Sequence, residues 1–216
     1  MEPSAPEDQS MAKSIVSESI SINPSIGLDQ IVKIDQASRS IDNPEPINPE
    51  SDRNNRAEVQ KMIDAGQLSS ADDCRKAALI FQHGETVGDF SKAFELSLKS
   101  AELGMPPFAT ILAQSFDRLM VTLQQQKGLD ASVIKQRFGT QYNNWQYYPL
   151  DDLRTEDDFK LFEPVIRGFK EKTADEQQAI SQGLNGQWQN MGRDGRTTVL
   201  NKIKEDLEKV KQALAV

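Results

Sequence analysis

The stretch SADDCRKAALIFQHGETVGDFSKAFELSLKSAELG, residues 70–104, decides the fold. Ser70 with Asp73, and Thr86 with Asp89, each set a hydroxyl residue three positions before a carboxylate. That spacing is a capping box, in which the two side chains satisfy orphan amides at a helix start. The first box opens a helix running to His83, with Gly84 as a left-handed stop. The second precedes Phe90, Ala93, Phe94, Ser97 and Ala101 at helical spacing, and Gly104, Pro106 and Pro107 end that helix.

Outward from this pair the helical period continues. Ala57, Val59, Met62 and Ile63 mark a helix from Ser51 that ends at Gly66, and Phe108, Ile111, Leu112, Phe116, Leu119 and Leu123 mark one reaching about Gln126. Leu28, Ile31 and Val32 predict a short helix near 27–40, with Asp35 and Arg39 as a structural i,i+4 ion pair. Prolines at 44, 46 and 49 block its continuation. Further on, Thr155 to Asp158 repeats the capping box before Phe159, Phe162, Ile166 and Phe169, with Pro164 inside that helix. Helical spacing at Ala179, Ile180 and Leu184 is weakened by Gly183, Gly186, Gly192 and Gly195. Leu200, Ile203, Leu207, Val210 and Leu214 alternate three and four apart like a coiled-coil seam, with Glu205 and Lys209 as an i,i+4 pair. Two heptads do not hold a coiled coil alone, so this amphipathic helix docks on its own domain or forms a homodimer with a second copy. No strand pair stands out. The expectation is an all-α protein, helical hairpins packed as an irregular bundle. Its divisions are an acidic disordered leader at 1–26, a helical domain at 27–150 and a C-terminal helical extension at 151–216.

Charge is uneven along the 216 residues. The total is −8, yet residues 1–52 hold ten acidic and three basic side chains and six of the ten prolines, so the body is nearly neutral. A segment of that composition buries too little apolar surface to offset its ordering entropy. The acidic total argues against nucleic acid as a partner, since phosphate binding needs a clustered basic surface. No run approaches a membrane span, and Met1 to Ser10 lacks the signal-peptide pattern. One cysteine, Cys74, excludes an internal disulfide, and one histidine, His83, excludes a His-rich metal site, so neither metal nor cofactor is expected. These features point to the cytoplasm, although the mature form of an exported protein would read the same.

Three short motifs stand in order: Gln82-His83 at the end of one helix, Asp117-Arg118 in a later one, and Gln136-Arg-Phe-Gly-Thr-Gln141 beyond it. With Asp35 to Arg39 and Asn54 upstream, they resemble a widespread, mainly bacterial family of unknown function over roughly residues 27–145. Gln136 to Gln141 is the most specific piece. The stretch from Gly128 to Gln136 departs from the family in its length. The resemblance implies no established activity, and it points to residues rather than to a reaction.

The chemistry of those residues can be read directly. His83 at a helix C-terminus sits where the dipole favours a cation, which suits a general acid, an anion contact or a C-cap. Asp117 flanks the apolar face of its helix and can orient His83 or act as a base; Arg118 can clamp a carboxylate or phosphate, or pair with Asp35 or Asp117. Arg137, Thr140 and Gln141, with Gln136 before them, supply a fork, a hydroxyl and amides around the backbone-permissive Gly139. Phe138, Tyr142, Trp145, Tyr147 and Tyr148 suit a pocket wall, an interface or a core. Cys74 reads as a packed apolar group. The sequence thus predicts a pocket for an anionic or amide-bearing small molecule. In it His83 and Asp117 are catalytic and Arg118, Gln136, Arg137, Thr140 and Gln141 bind substrate, with acid/base hydrolysis as its chemistry. The alternative is a helical-hairpin module that presents a groove to a protein partner.

Overall fold

A computed structural model describes residues 27–40, 42, 47–109, 111–130, 134, 136–141, 162 and 172–215. Among them are seven α-helices and no β-strand: α1 Leu28–Ser38, α2 Pro49–Asp64, α3 Ala71–Gln82, α4 Val87–Glu102, α5 Leu112–Gln126, α6 Ala174–Asn190 and α7 Gly192–Ala215. The leader at 1–26, the run from Tyr142 to Tyr148, the Thr155 to Asp158 box and Pro164 lie outside the described residues.

Two of the three predicted capping boxes fall among the described residues, and both form. Asp73 N donates to Ser70 Oγ at 3.0 Å while Ser70 N donates back to Asp73 Oδ2 at 3.0 Å, and Thr86 and Asp89 do the same at 3.1 and 3.0 Å. Gly84 serves a different purpose from the one its position predicts. It is not in the left-handed region, but a Cβ placed on it would stand 2.2 Å from the Asp89 Cβ. The glycine therefore leaves room for the cap of α4.

α2 starts two residues earlier than its apolar spacing indicates. Asn48 Oδ1 accepts from the amides of Glu50 and Ser51 at 3.0 and 3.4 Å, and Pro49 occupies the first helical position, where a missing N–H costs nothing. The predicted Phe108 helix divides into a 3₁₀ turn, Pro107–Ala109, and α5. α6 is one unbroken helix through Gly183 and Gly186, against the weakness that its glycines suggest. Thr173 and Glu176 cap it, and Leu184 and Trp188 are buried on one side. Burial of a whole indole outweighs a glycine penalty of about 1 kcal/mol each.

α4 is the shared wall between two cores. Ala93 and Leu96 face Ala77, Ala78, Ile80 and Phe81 of α3, with Ile31 of α1 and Val59 of α2 beyond. The small side chains let α3 and α4 approach closely as an antiparallel hairpin. The other side of α4, Phe90, Phe94, Leu98 and Ala101, meets Leu112, Phe116 and Leu119 of α5 and Leu200, Ile203 and Leu207 of α7. Phe94, Phe116 and Phe138 stack edge to face in a row with centroids 5.6 Å apart, and Phe138 continues to Phe162 at 4.5 Å. Each such ring contributes about 1.5–3 kcal/mol by burial. The seam of α7 thus docks on its own chain, the first of the two outcomes its pattern allows. Lys209 pairs with Asp206 at 3.2 Å rather than with Glu205.

Candidate functional site

The C-terminal end of α3 is where α1, α2 and α5 send polar groups. Its last carbonyls lack helical partners and carry the negative end of the dipole. Two arginines satisfy them: Arg118 Nη1 from α5 donates to the Gln82 carbonyl, and Arg56 Nη1 from α2 donates to the His83 carbonyl at 3.1 Å. Arg56 also lies 3.4 Å from Asp89, which joins the cap of α4 to the same cluster.

His83 is the C-cap of α3, as predicted, but its partner is not Asp117. Its Nδ1 lies 3.1 and 3.0 Å from the two oxygens of Asp35, a residue only 1% exposed. A carboxylate before Nδ1 makes that nitrogen the proton donor and leaves Nε2 for other partners. Asp35 in turn accepts from Arg39 Nη1 at 2.8 Å, the predicted ion pair, and Arg39 Nη2 reaches Asp52 of α2 at 2.6 Å. Asp35 is therefore both the member of an ion pair and the orienter of the imidazole.

Asp117 organises the loop. Its Oδ1 accepts the amides of Arg137 and Phe138, both at 2.9 Å, and its Oδ2 accepts the amide and hydroxyl of Thr140 at 2.7 and 2.9 Å. Burial pushes its carboxyl up from the ordinary aspartate range, and the four donors pull against this. Turning the amides of Arg137, Phe138 and Thr140 onto one carboxylate needs a tight bend, and Gly139 supplies it with φ +75°. Gln136 closes the loop on itself: Gln141 N donates to its Oε1 at 2.8 Å. Arg137 departs furthest from its predicted role. It is fully buried, its guanidinium 5.0 and 5.6 Å from the Phe138 and Phe116 ring centroids, and it forms an ion pair with Asp206 of α7 at 2.8 Å. Gln136 and Arg137 thus hold the loop and do not line the cleft beside it.

That cleft, about 510 Å³, lies between α3, α5 and the loop. Its polar lining includes Gln82, His83, Gln114, Arg118, Thr140 and Gln141, and its apolar wall is Leu79, Phe90, Ile111 and Val121. Three of the predicted binding residues, Arg118, Thr140 and Gln141, meet here with His83. Arg118 Nε donates to Gln141 Oε1 at 3.1 Å, and Gln141 Nε2 donates to the Gln114 carbonyl at 3.1 Å. The half-buried Arg118 guanidinium lies 5.5 Å from the Phe90 ring centroid and has no carboxylate partner among the described residues. Burial, and then the nearby Arg39 cation, pull its pKa down from the usual arginine value.

No family model, curated protein or solved structure matches this chain. Among the described residues no group of three or more His, Cys, Asp or Glu side chains could hold a metal ion, and no helix is long and apolar enough to cross a membrane. Four contributors escaped the sequence reading: Asp52 on Arg39, Arg56 on the His83 carbonyl, Asp206 on Arg137, and Gln114 in the cleft. Only Gln114 left a trace, three residues before Asp117 on the same helix.

Proposed function

We propose that the cleft between α3, α5 and the Gln136 to Gln141 loop binds a small anionic or amide-bearing molecule and that His83 supplies acid/base chemistry to it. The observation that carries this reading is Arg118: a half-buried guanidinium bonded to a carbonyl and an amide oxygen, open to a cleft, with no carboxylate beside it among the described residues. A buried cation is ordinarily paired, so a ligand carboxylate or phosphate is the natural complement. Thr140 and Gln141 flank that position.

His83 lines the same cleft with Nδ1 held by Asp35. In hydrolysis, the oxygen of an attacking water bonds to the acyl or phosphoryl centre while its proton passes to Nε2. The bond to the leaving group then breaks, and the imidazolium returns the proton to it. Asp35 keeps the tautomer and stabilises the cation. All three motifs that carry the family resemblance fall on this cleft or on the loop behind it, which supports reading them as parts of one site.

The experiment is a thermal-shift screen of small anions and amides on wild type, His83→Ala and Arg118→Met. A wild-type hit that Arg118→Met loses supports the pocket; hits of equal size in all three proteins, or no hit, argue for the interaction module.

A further inference from the structure

Two amide side chains in the cleft end in buried oxygens that no described group satisfies: Gln82 Oε1 and Gln114 Oε1. Gln82 is only 6% exposed, so water has little access to it. A buried carbonyl oxygen without a donor is costly, and the large majority of buried side-chain polar atoms have a partner. Both residues join, through their backbone carbonyls, the hydrogen-bonded chain around Arg118. The Gln82 backbone carbonyl accepts Arg118 Nη1, and the Gln114 backbone carbonyl accepts Gln141 Nε2, whose partner oxygen takes Arg118 Nε. The residues that carry the orphan acceptors are thus tied to Arg118 through their backbone carbonyls and line the same cleft.

Resting on the reading of Arg118 as the anion contact, we infer that the ligand is an anion whose body carries hydrogen-bond donors close to its charge. This is the class of amido, amino or hydroxylated acids and phosphates, and it excludes a bare aliphatic or aromatic acid. The charge engages Arg118, the N–H or O–H groups engage Gln82 Oε1 and Gln114 Oε1, and the carbon skeleton lies on Leu79, Phe90 and Val121. Such complementarity also gives selectivity: a site built to bond donors rejects an analogue that lacks them far more strongly than a hydrophobic pocket rejects a missing methylene.

Matched pairs of probes test this by calorimetric titration of the full chain: N-acetylglycine against N-acetylsarcosine, which lacks the N–H, and glycerol 3-phosphate against propyl phosphate, which lacks the hydroxyls. In at least one pair the donor-bearing member should bind wild type about tenfold more tightly or better. Gln82→Met and Gln114→Met should erase that preference, and Arg118→Met should weaken both members. Equal or stronger binding of the donor-free member in both pairs overturns the inference and leaves the anion reading standing. Absence of binding by all four probes, or binding unchanged in Arg118→Met, overturns both. The wild-type comparison decides the matter even where a methionine variant does not fold.

Discussion

Asp117 Oδ2 accepts both the amide and the hydroxyl of Thr140, at 2.7 and 2.9 Å, across 23 positions of sequence. With Oδ1 taking two more amides, one carboxylate on α5 replaces the secondary structure that the loop lacks. Asp117→Ala leaves those buried donors without an acceptor, each worth about 1–3 kcal/mol and not strictly additive. The expected loss of stability in urea unfolding is at least about 4 kcal/mol. A loss below about 1 kcal/mol would mean that the loop does not depend on this residue.

Arg137 and Asp206 connect the loop to α7 through a buried ion pair at 2.8 Å. Asp206→Ala removes a carboxylate from a fully buried guanidinium and should destabilise the protein by about 3–5 kcal/mol. Replacing both by apolar residues, Arg137→Met with Asp206→Leu, should recover most of that loss. Chemical denaturation of the three variants checks it. A double variant as unstable as the single one would show that the pair does more than neutralise its own burial.

The capping boxes make an acid-side prediction. The Ser70 hydroxyl first, and then the Ser70 amide, hold Asp73 below the ordinary aspartate value, and the Thr173 hydroxyl and then amide do the same for Glu176. A lowered folded-state pKa contributes stability above the unfolded value, which is lost as pH falls through the folded value. The Ser70 and Thr173 amide resonances should therefore move with midpoints below about 3.9 and 4.3 respectively, the unperturbed aspartate and glutamate values. Midpoints at or above those figures would count against the caps.

Cys74 stands in the first turn of α3, where a thiolate would be favoured, yet it is fully buried and desolvation pushes its pKa up. Ellman's reagent at pH 8 should label the native protein only as fast as α3 opens. Labelling at the rate of a free thiol would place the side chain at the surface.

The fold was legible where local rules govern. The hydroxyl and carboxylate pairs at Ser70 and Thr86, and the seam from Leu200 to Leu207, act over one or two turns and appear in the sequence as spacing. Pro49 reads as a barrier alongside Pro44 and Pro46, whereas Asn48 makes it a helix start. The site was legible as a set of residues and not as a set of partners. His83, Arg118 and Gln141 do converge, but Asp35 reaches His83 from 48 positions away and Asp206 reaches Arg137 from 69 away, and no local pattern encodes such pairs. An Asp beside an Arg in one motif suggested a shared task; one residue advances about 100° around a helix, so Asp117 turns to the loop and Arg118 to the cleft.

His83 is the single histidine, so its imidazole gives one resolved pair of ring nitrogens in long-range ¹⁵N–¹H spectra. At a pH where the ring is neutral, Nδ1 should carry the proton and Nε2 should not, as Asp35 dictates. Titration with glycerol 3-phosphate or N-acetylglycine should shift Nε2 saturably in wild type, and in Arg118→Met the same additions should leave it unmoved. An imidazole that does not respond in wild type to either probe, or that responds equally in both proteins, would contradict a ligand cleft built on Arg118 and His83.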